Sequence, residues 1–440
     1  TGTFTITAKS TTPDDATTEV TPDSQTITFG DTPADFTATF GDKLNKVTLS
    51  NDDFTFKNGT TTVTGVPTNA GSYEISLTAD AQARIEAANP NYTFSAADFK
   101  TGIFTINPKA TTADDETTQV KVNDYSIVYG DPTPTFNLSY GDKLTGATGL
   151  TNADFSFTDS KGNAVSGIPE NVGTYTVSLN ANGQAKVQAV NGNYTLTADD
   201  FKTGTFTITA KPTTADDTTT QAKVNDQSKV YGDKDPNFDL TYGDKLTAPT
   251  DLTNADFSFT DSEGNAVTGI PENVGTYTVS LNADGQAKVQ AANKNYTLTG
   301  DNFKTGTFTI TAKTTTKDDV TTEATVNDQT KVYGDKDPNF DLTYGDKLNA
   351  ATDLTNADFN FKDSKGNAVS GVPENVGTYT VSLNANGQAK VQKANGNYAL
   401  TADNFKTGRF TITAKSTTPD DATTEVTTQN EVITSVVASS

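Results

Sequence analysis

The 440-residue chain contains no cysteine, histidine, methionine or tryptophan. Without cysteine there are no disulfides and no thiolate metal sites; without histidine, imidazole catalysis and imidazole ligation are excluded. The missing initiator methionine marks the chain as an expected fragment or processed product. Arginine occurs only at Arg84 and Arg409, so there is no arginine-rich patch. The formal net charge of −23, from 55 acidic against 32 basic residues, repels phosphate backbones and anionic lipid, which makes nucleic acid and membrane surfaces poor partners; neither nucleic acid nor membrane insertion is expected. No apolar run approaches the ~18 residues that a membrane span needs. No signal peptide or sorting signal is visible, so secretion and anchoring signals are expected outside this sequence.

What is present is repetition. The length exceeds one core and suits three or four domains, and self-alignment fixes their number. An aromatic-Gly-Asp phrase falls at Phe29-Gly30-Asp31, Tyr129-Gly130-Asp131, Tyr231-Gly232-Asp233 and Tyr333-Gly334-Asp335, with offsets of 100, 102 and 102 residues. A second copy starts eleven residues later each time, at Phe40, Tyr140, Tyr242 and Tyr344. "PENVGTYTVSLN" recurs at 169–180, 271–282 and 373–384. The opening 21 residues match 407–427 except for Thr3 against Arg409. Residues 1–8 are therefore the expected final strand of a preceding, truncated repeat.

Four full repeats follow, at 19–108, 120–210, 222–312 and 324–414. Between them lie threonine- and aspartate-rich strips at 9–18, 109–119, 211–221 and 313–323, and 415–440 is a linker and low-complexity end of the array. The strips hold almost no large apolar residue, so they are expected as short, solvated, fairly stiff connectors or as edge strands that help to stack neighbours. Four units in series, each with a radius of gyration near ~13 Å, predict an elongated rod on the order of 150 Å long.

Within the third repeat, "NFDLTY" puts Phe238, Leu240 and Tyr242 on one face. "DFSFT" does the same with Phe257 and Phe259, "GTYTVSLN" with Tyr277, Val279 and Leu281, and "TGTFTIT" with Phe308 and Ile310. Period-two alternation with outward threonines is the signature of half-buried strands. "SEGN" at 262–265 and "PENVG" at 271–275 supply the turns. "NADGQAKVQAAN" (282–293) breaks the pattern and predicts a short helix, capped by Asn282 and stopping near Asn293. Its inward stripe reads Gly285, Val289 and Ala292, and in the first repeat Ala81, Ile85 and Ala88. The expected fold is mostly β with one short helix per repeat, an α+β grasp-like unit, with an immunoglobulin-like sandwich as the alternative.

The combination "VYGDKDPNFDLTYGD … GTYTVSLNADGQAKVQAANKNYTLTGDNFKTGTFTITAK" resembles the YGD-type MBG repeats of Gram-positive, lactobacillus-like cell-surface adhesins, and the resemblance covers nearly the whole chain. It implies tandem extracellular domains of a wall-anchored protein, with adhesion or spacing as the role. It implies no binding residues.

The candidate chemistry is thin. Paired acids such as Asp114-Asp115 lie in polar connectors, and general acid–base work needs a pocket that raises one pKa; no enzyme and no cofactor are expected. Asp233, Asp235 and Asp239, with Asp335, Asp337 and Asp341, echo the spacing of calcium ligands, but the first two repeats lack it. Lys245, Lys304 and Glu272-Asn273 recur in register and raise an intramolecular isopeptide bond, against the simpler reading of exposed lysines and a turn. The "NYT" sequons at 91, 193 and 295 become "NYA" in the fourth copy. Aromatic-Gly-Asp itself is expected as turn punctuation, its aromatic anchoring the turn to the core. A spacer competes with a multivalent module for host mucin, glycans or extracellular matrix, because weak sites gain avidity along an array. Self-association favoured in acid is a third reading, from a pI near 4.3.

Overall fold

The computed structural model describes residues 1–13 and 15–416. It forms two compact units, one of residues 1–212 with 294–297, the other of residues 213–293 with those from 298 onward. The second repeat, in the first unit, exemplifies the fold. Its main sheet has five strands in the order Tyr125–Val128, Gly204–Thr209, Gly173–Leu179, Phe155–Thr158 and Ala164–Val165. The first pairing is parallel and the other three are antiparallel. A second open sheet places Val120–Val122 between Leu138–Tyr140 and Phe201–Lys202.

The core lies between the two sheets and the helix: Val120 and Val122 meet Phe155, Phe157, Val177, Leu179, Phe206 and Ile208, with Phe136 among them. Phe136 contacts the rings of Phe157 and Phe206 edge-on, at 5.2 and 5.3 Å. Each such burial contributes about 1.5–3 kcal/mol, and threonines take the outward positions of the same strands. The fold is thus mostly β with one short helix per repeat, in the two-sheet layout of the sandwich alternative. The fourth repeat has the same order, with Gly377–Leu383 central and Gln329–Val332 parallel to Gly408–Thr413. In the first repeat the third strand of the small sheet shrinks to one bridge, Val20 to Phe99.

The helices run Ala79–Ala88, Ala181–Val190, Ala283–Ala292 and Ala385–Ala394. Asn282 caps the third as expected, accepting from the Gly285 N–H at 3.0 Å. The inward stripe needs correction. Gly285 and Val289 are buried, but Ala292 is exposed and Asn293 is buried in its place; Ala88 is only half-buried. The buried amide is accommodated because it is fully bonded. Asn293 accepts from the Thr247 N–H at 2.6 Å and donates to the carbonyls of Thr247 and Val289, each at 2.8 Å.

The connectors also differ from solvated linkers. Lys109–Ala110 pairs in parallel with Tyr194–Thr195, and Glu116–Thr118 forms a 3₁₀ turn that buries Thr118. Asp115 caps that turn and pairs with Lys143 at 3.1 Å. The Thr117 hydroxyl and then Lys143 hold its carboxyl below the usual range. A segment without large side chains is thereby held by backbone hydrogen bonds and a buried threonine. Residues 1–8 form no strand, and Phe4 and Ile6 are exposed. Their counterparts Phe104 and Ile106 are buried because strands flank them on both sides, a support that residues 1–8 lack among the described residues. Residues 417–440, most of the expected low-complexity end, lie outside the described residues.

Candidate functional site at the repeat junction

The two aromatic-Gly-Asp phrases do different physical work. At the first, Gly232 has φ +81°, and the Asp233 N–H donates to the Val230 carbonyl at 3.0 Å. A turn with positive φ at its third position calls for glycine. Gly30, Gly130 and Gly334 sit likewise, with φ between +85° and +91°. Asp31 and Asp131 then accept from the backbone N–H groups of Thr28 and Val128. At the second phrase, a Cβ on Gly243 would lie 2.4 Å from the Thr218 carbonyl oxygen. That glycine lets the chain run against the connector's 3₁₀ turn. Burial pushes the neighbouring Tyr242 phenol up to about 12.

The turn places its aromatic outward, against the next repeat. In the first unit the Phe29 ring meets Tyr194 edge-on, with centroids 5.4 Å apart. Beside it, Asn193 accepts from the Ala70 N–H at 2.8 Å and donates to the Asn69 side-chain oxygen at 3.0 Å. The Lys109 N–H donates to the Asn193 carbonyl at 2.9 Å. The second unit repeats the arrangement. Tyr231 meets Tyr398 at 5.4 Å, and Asn397 accepts from the Val274 N–H and donates to Asn273, both at 2.9 Å. An edge-on ring pair contributes about 0.5–1.5 kcal/mol and each hydrogen bond about as much. The contact is specific but small.

Aromatic-Gly-Asp was expected as punctuation anchored to its own core. Phe29 does pack on its own core, yet it also builds the joint to the neighbour. Sequence reasoning missed the other half of that joint. "NY" was legible only as part of a sequon, and "PENVG" only as a turn. The available signal was that Asn-Tyr persists in all four copies while the sequon threonine becomes Ala399. Asn193 spends both side-chain atoms on the neighbouring repeat.

Beside the first joint lies a cavity of about 190 Å³, lined by Phe29, Tyr194, Lys109, Thr111, Asp115 and Lys143 among others. With Tyr231 in the place of Phe29, its lining recurs in the second unit's sequence at Tyr398, Lys313, Thr315, Asp319 and Lys347.

The calcium-like aspartates are not brought together. Asp235 and Asp337 each face a lysine at 2.5 Å, Lys229 and Lys331, whose side chains are only 8% and 7% exposed. Asp239 accepts from the Asn225 amide at 2.9 Å. A cation at Asp235 would have to displace an ammonium already in place. Among the described residues no group of three or more acidic side chains is arranged to hold a metal ion. The residues considered for an isopeptide bond are likewise dispersed: Lys245 pairs with Asp217 at 3.3 Å, while Asn273 serves the joint.

The sequence matches the MBG domain at residues 1–108, 110–210, 218–312 and 320–414. Among solved structures, a cell surface adhesin from Lactobacillus reuteri is similar at 28% identity, covering 22% of this chain and all of that one, with a TM-score of 0.18. The N-terminal four Ig domains of Dscam1 isoform 1.9 align over 90% of this chain and 97% of their own, at 11% identity and a TM-score of 0.20. Among curated proteins none matches. With the family matched in four successive segments that span nearly its whole length, the chain belongs to the MBG domain family.

Proposed function

We propose that this chain is a non-enzymatic spacer, the repeat region of a bacterial cell-surface adhesin. It is extracellular, anchored to the wall through regions outside this sequence, and projects a binding region from the cell. The observation that carries this reading is the joint itself. Successive repeats within a unit are joined in one orientation by an asparagine clamp and an aromatic pair, which a projecting stalk needs and an independent binding module does not. The strips that belong to no core continue as strands on the following repeat, consistent with repeats stacked through their connectors.

A second reading, multivalent adhesion to host mucin, glycans or extracellular matrix, draws support from the small aromatic-edged cavity at the joint and the recurrence of its residue types. Weak sites of that kind would gain from repetition. Binding of the full chain to immobilised mucin, glycan arrays and matrix proteins separates the two. The spacer reading expects no retention above an unrelated acidic protein. Retention lost on Tyr194→Ala together with Tyr398→Ala would replace it with the multivalent reading.

A further inference from the structure

In every repeat the chain enters and leaves the main sheet on neighbouring strands that run the same way. In the second repeat Val120 and Lys121 lie beside Phe201 and Lys202, and Tyr125–Val128 lies beside the stretch from Phe206 to Thr209, parallel throughout. Both stretches keep one offset, so residues 120–128 follow 201–209 as a single ladder that changes sheet at Asn123-Asp124. The change is bridged by Asp124, which accepts from the Thr205 N–H at 2.7 Å. Gly204 lets the strands close there, because a Cβ on it would lie 2.4 Å from the Val122 carbonyl oxygen. At the far end the Tyr129 N–H donates to the Thr209 carbonyl at 2.8 Å. Val120, Val122, Phe206 and Ile208 are buried along the ladder, so water has little access to its bonds. The third and fourth repeats keep this ladder, with Asp226 and Asp328 accepting from the N–H groups of Thr307 and Arg409. The first repeat has a shorter one, in which the Ser24 hydroxyl accepts from the Ile103 N–H at 3.0 Å.

We propose that this ladder is a mechanical clamp: each repeat keeps its length under tension until the two strands shear apart, and then unravels in one step. Tension along the chain pulls the entering strand backward and the leaving strand forward. Because the two are parallel and adjacent, they are drawn past each other along their own axes, and the bonds between them are strained together. The antiparallel pairing of Phe155–Thr158 with Gly173–Leu179 takes no tension until the ladder breaks, and it then opens bond by bond. The about 85 residues from Tyr125 to Thr209, at ~3.3–3.6 Å each, then release on the order of 300 Å of chain. Forced unfolding follows the unfolding rate, so it reads the clamp and not the equilibrium stability of the repeat. The clamp goes beyond the spacer reading, and its test does not depend on what the chain binds.

Stretching single molecules of the full chain by their two ends tests it. The expected result is four sudden lengthenings, each near ~300 Å, and none split into parts. Handles on Lys121→Cys and Thr203→Cys, both at exposed positions of a chain with no other cysteine, pull the same ladder open from its beginning, one bond at a time. Held that way, the second repeat should yield at a force several-fold lower. Equal forces in the two directions overturn the proposal, as does gradual lengthening at low force when the chain is held by its ends. Two substitutions separate the clamp from overall stability. Asp124→Ala, inside the ladder, should lower the force of one lengthening in four. Asp159→Ala frees the Lys161 and Asn163 N–H groups in a turn outside the strained path; it should lower the urea midpoint and leave all four forces unchanged. If Asp159→Ala lowers a force as much as Asp124→Ala does, stability and not the clamp sets the resistance, and the proposal falls.

Discussion

The first two repeats and the last two share one plan and differ, among other places, at one half-buried and one fully buried position. Where the first and second repeats place Ile27 and Ile127, the third and fourth place Lys229 and Lys331. Each lysine lies 5.9 Å from the centre of a core phenylalanine ring, Phe308 or Phe410, with its ammonium turned to Asp235 or Asp337. The first two repeats, with isoleucine, carry Pro33 and Thr133 at the aspartate's place. The charge arrives with its counter-charge or not at all. Of the calcium-like aspartates confined to the last two repeats, Asp235 and Asp337 thus accompany the lysines, while Asp239 and Asp341 bond Asn225 and Asn327.

The second difference is Asp98 and Asp200 against Asn302 and Asn404, all completely buried. In the later repeats Nδ2 of Asn302 and of Asn404 donates to the carbonyls of Thr220 and Thr322, at 3.0 and 3.1 Å. In the earlier repeats Oδ2 of Asp200 accepts from Thr111 and Thr197, but Oδ1 has no partner. In the later repeats one position thus fastens the connector and its 3₁₀ turn to the short turns Gly300–Asn302 and Ala402–Asn404 that precede the last strands, and it does so incompletely in the earlier ones.

The lysine–aspartate pair gives the largest expected contrast. Asp235→Ala leaves a nearly buried ammonium unpaired. Removing one partner of a fully buried pair costs ~3–5 kcal/mol, and because Asp235 is 40% exposed, about 1–3 kcal/mol is expected here. The double change Lys229→Ile with Asp235→Thr, which installs the second repeat's residues, should recover that loss in urea denaturation. A double variant no better than the single one would break the pairing argument. The smaller contrast is at the buried amide: Asn302→Asp should lower stability by about 1–3 kcal/mol near neutral pH, and Asp200→Asn should raise it by about 0.5–1.5 kcal/mol. Changes of the same sign would mean that the two halves do not share one environment there.

These features were unequally legible in the sequence. Phe257, Phe259, Val279, Leu281, Phe308 and Ile310 announced their strands, because burial on one face of a sheet enforces a period of two. Asn282 and Asn293 announced both ends of the helix, since capping is local chemistry. The stripe failed at Ala292 because a hydrophobicity pattern has no place for Asn293, a buried amide satisfied by a loop 46 residues away. The connectors left linker and edge strand undecided for a related reason: they are held through Thr118 and main-chain bonds, which leave no apolar trace. The joint was hardest to see. Its partners, Ala70 and Asn193, lie 123 residues apart, and its interactions are mostly polar. Only the persistence of Asn-Tyr hinted at it.

The central claim is that an asparagine of one repeat holds a specific backbone N–H of its neighbour. Amide hydrogen exchange in the dilute full chain tests it within one sample, because the third and fourth repeats share the segment Glu-Asn-Val. The Ala70 and Val274 N–H groups, bonded to Asn193 and Asn397, should exchange slowly. The Val376 N–H, equivalent in position but without that partner among the described residues, should exchange faster. Equal rates at Val274 and Val376 would contradict the account.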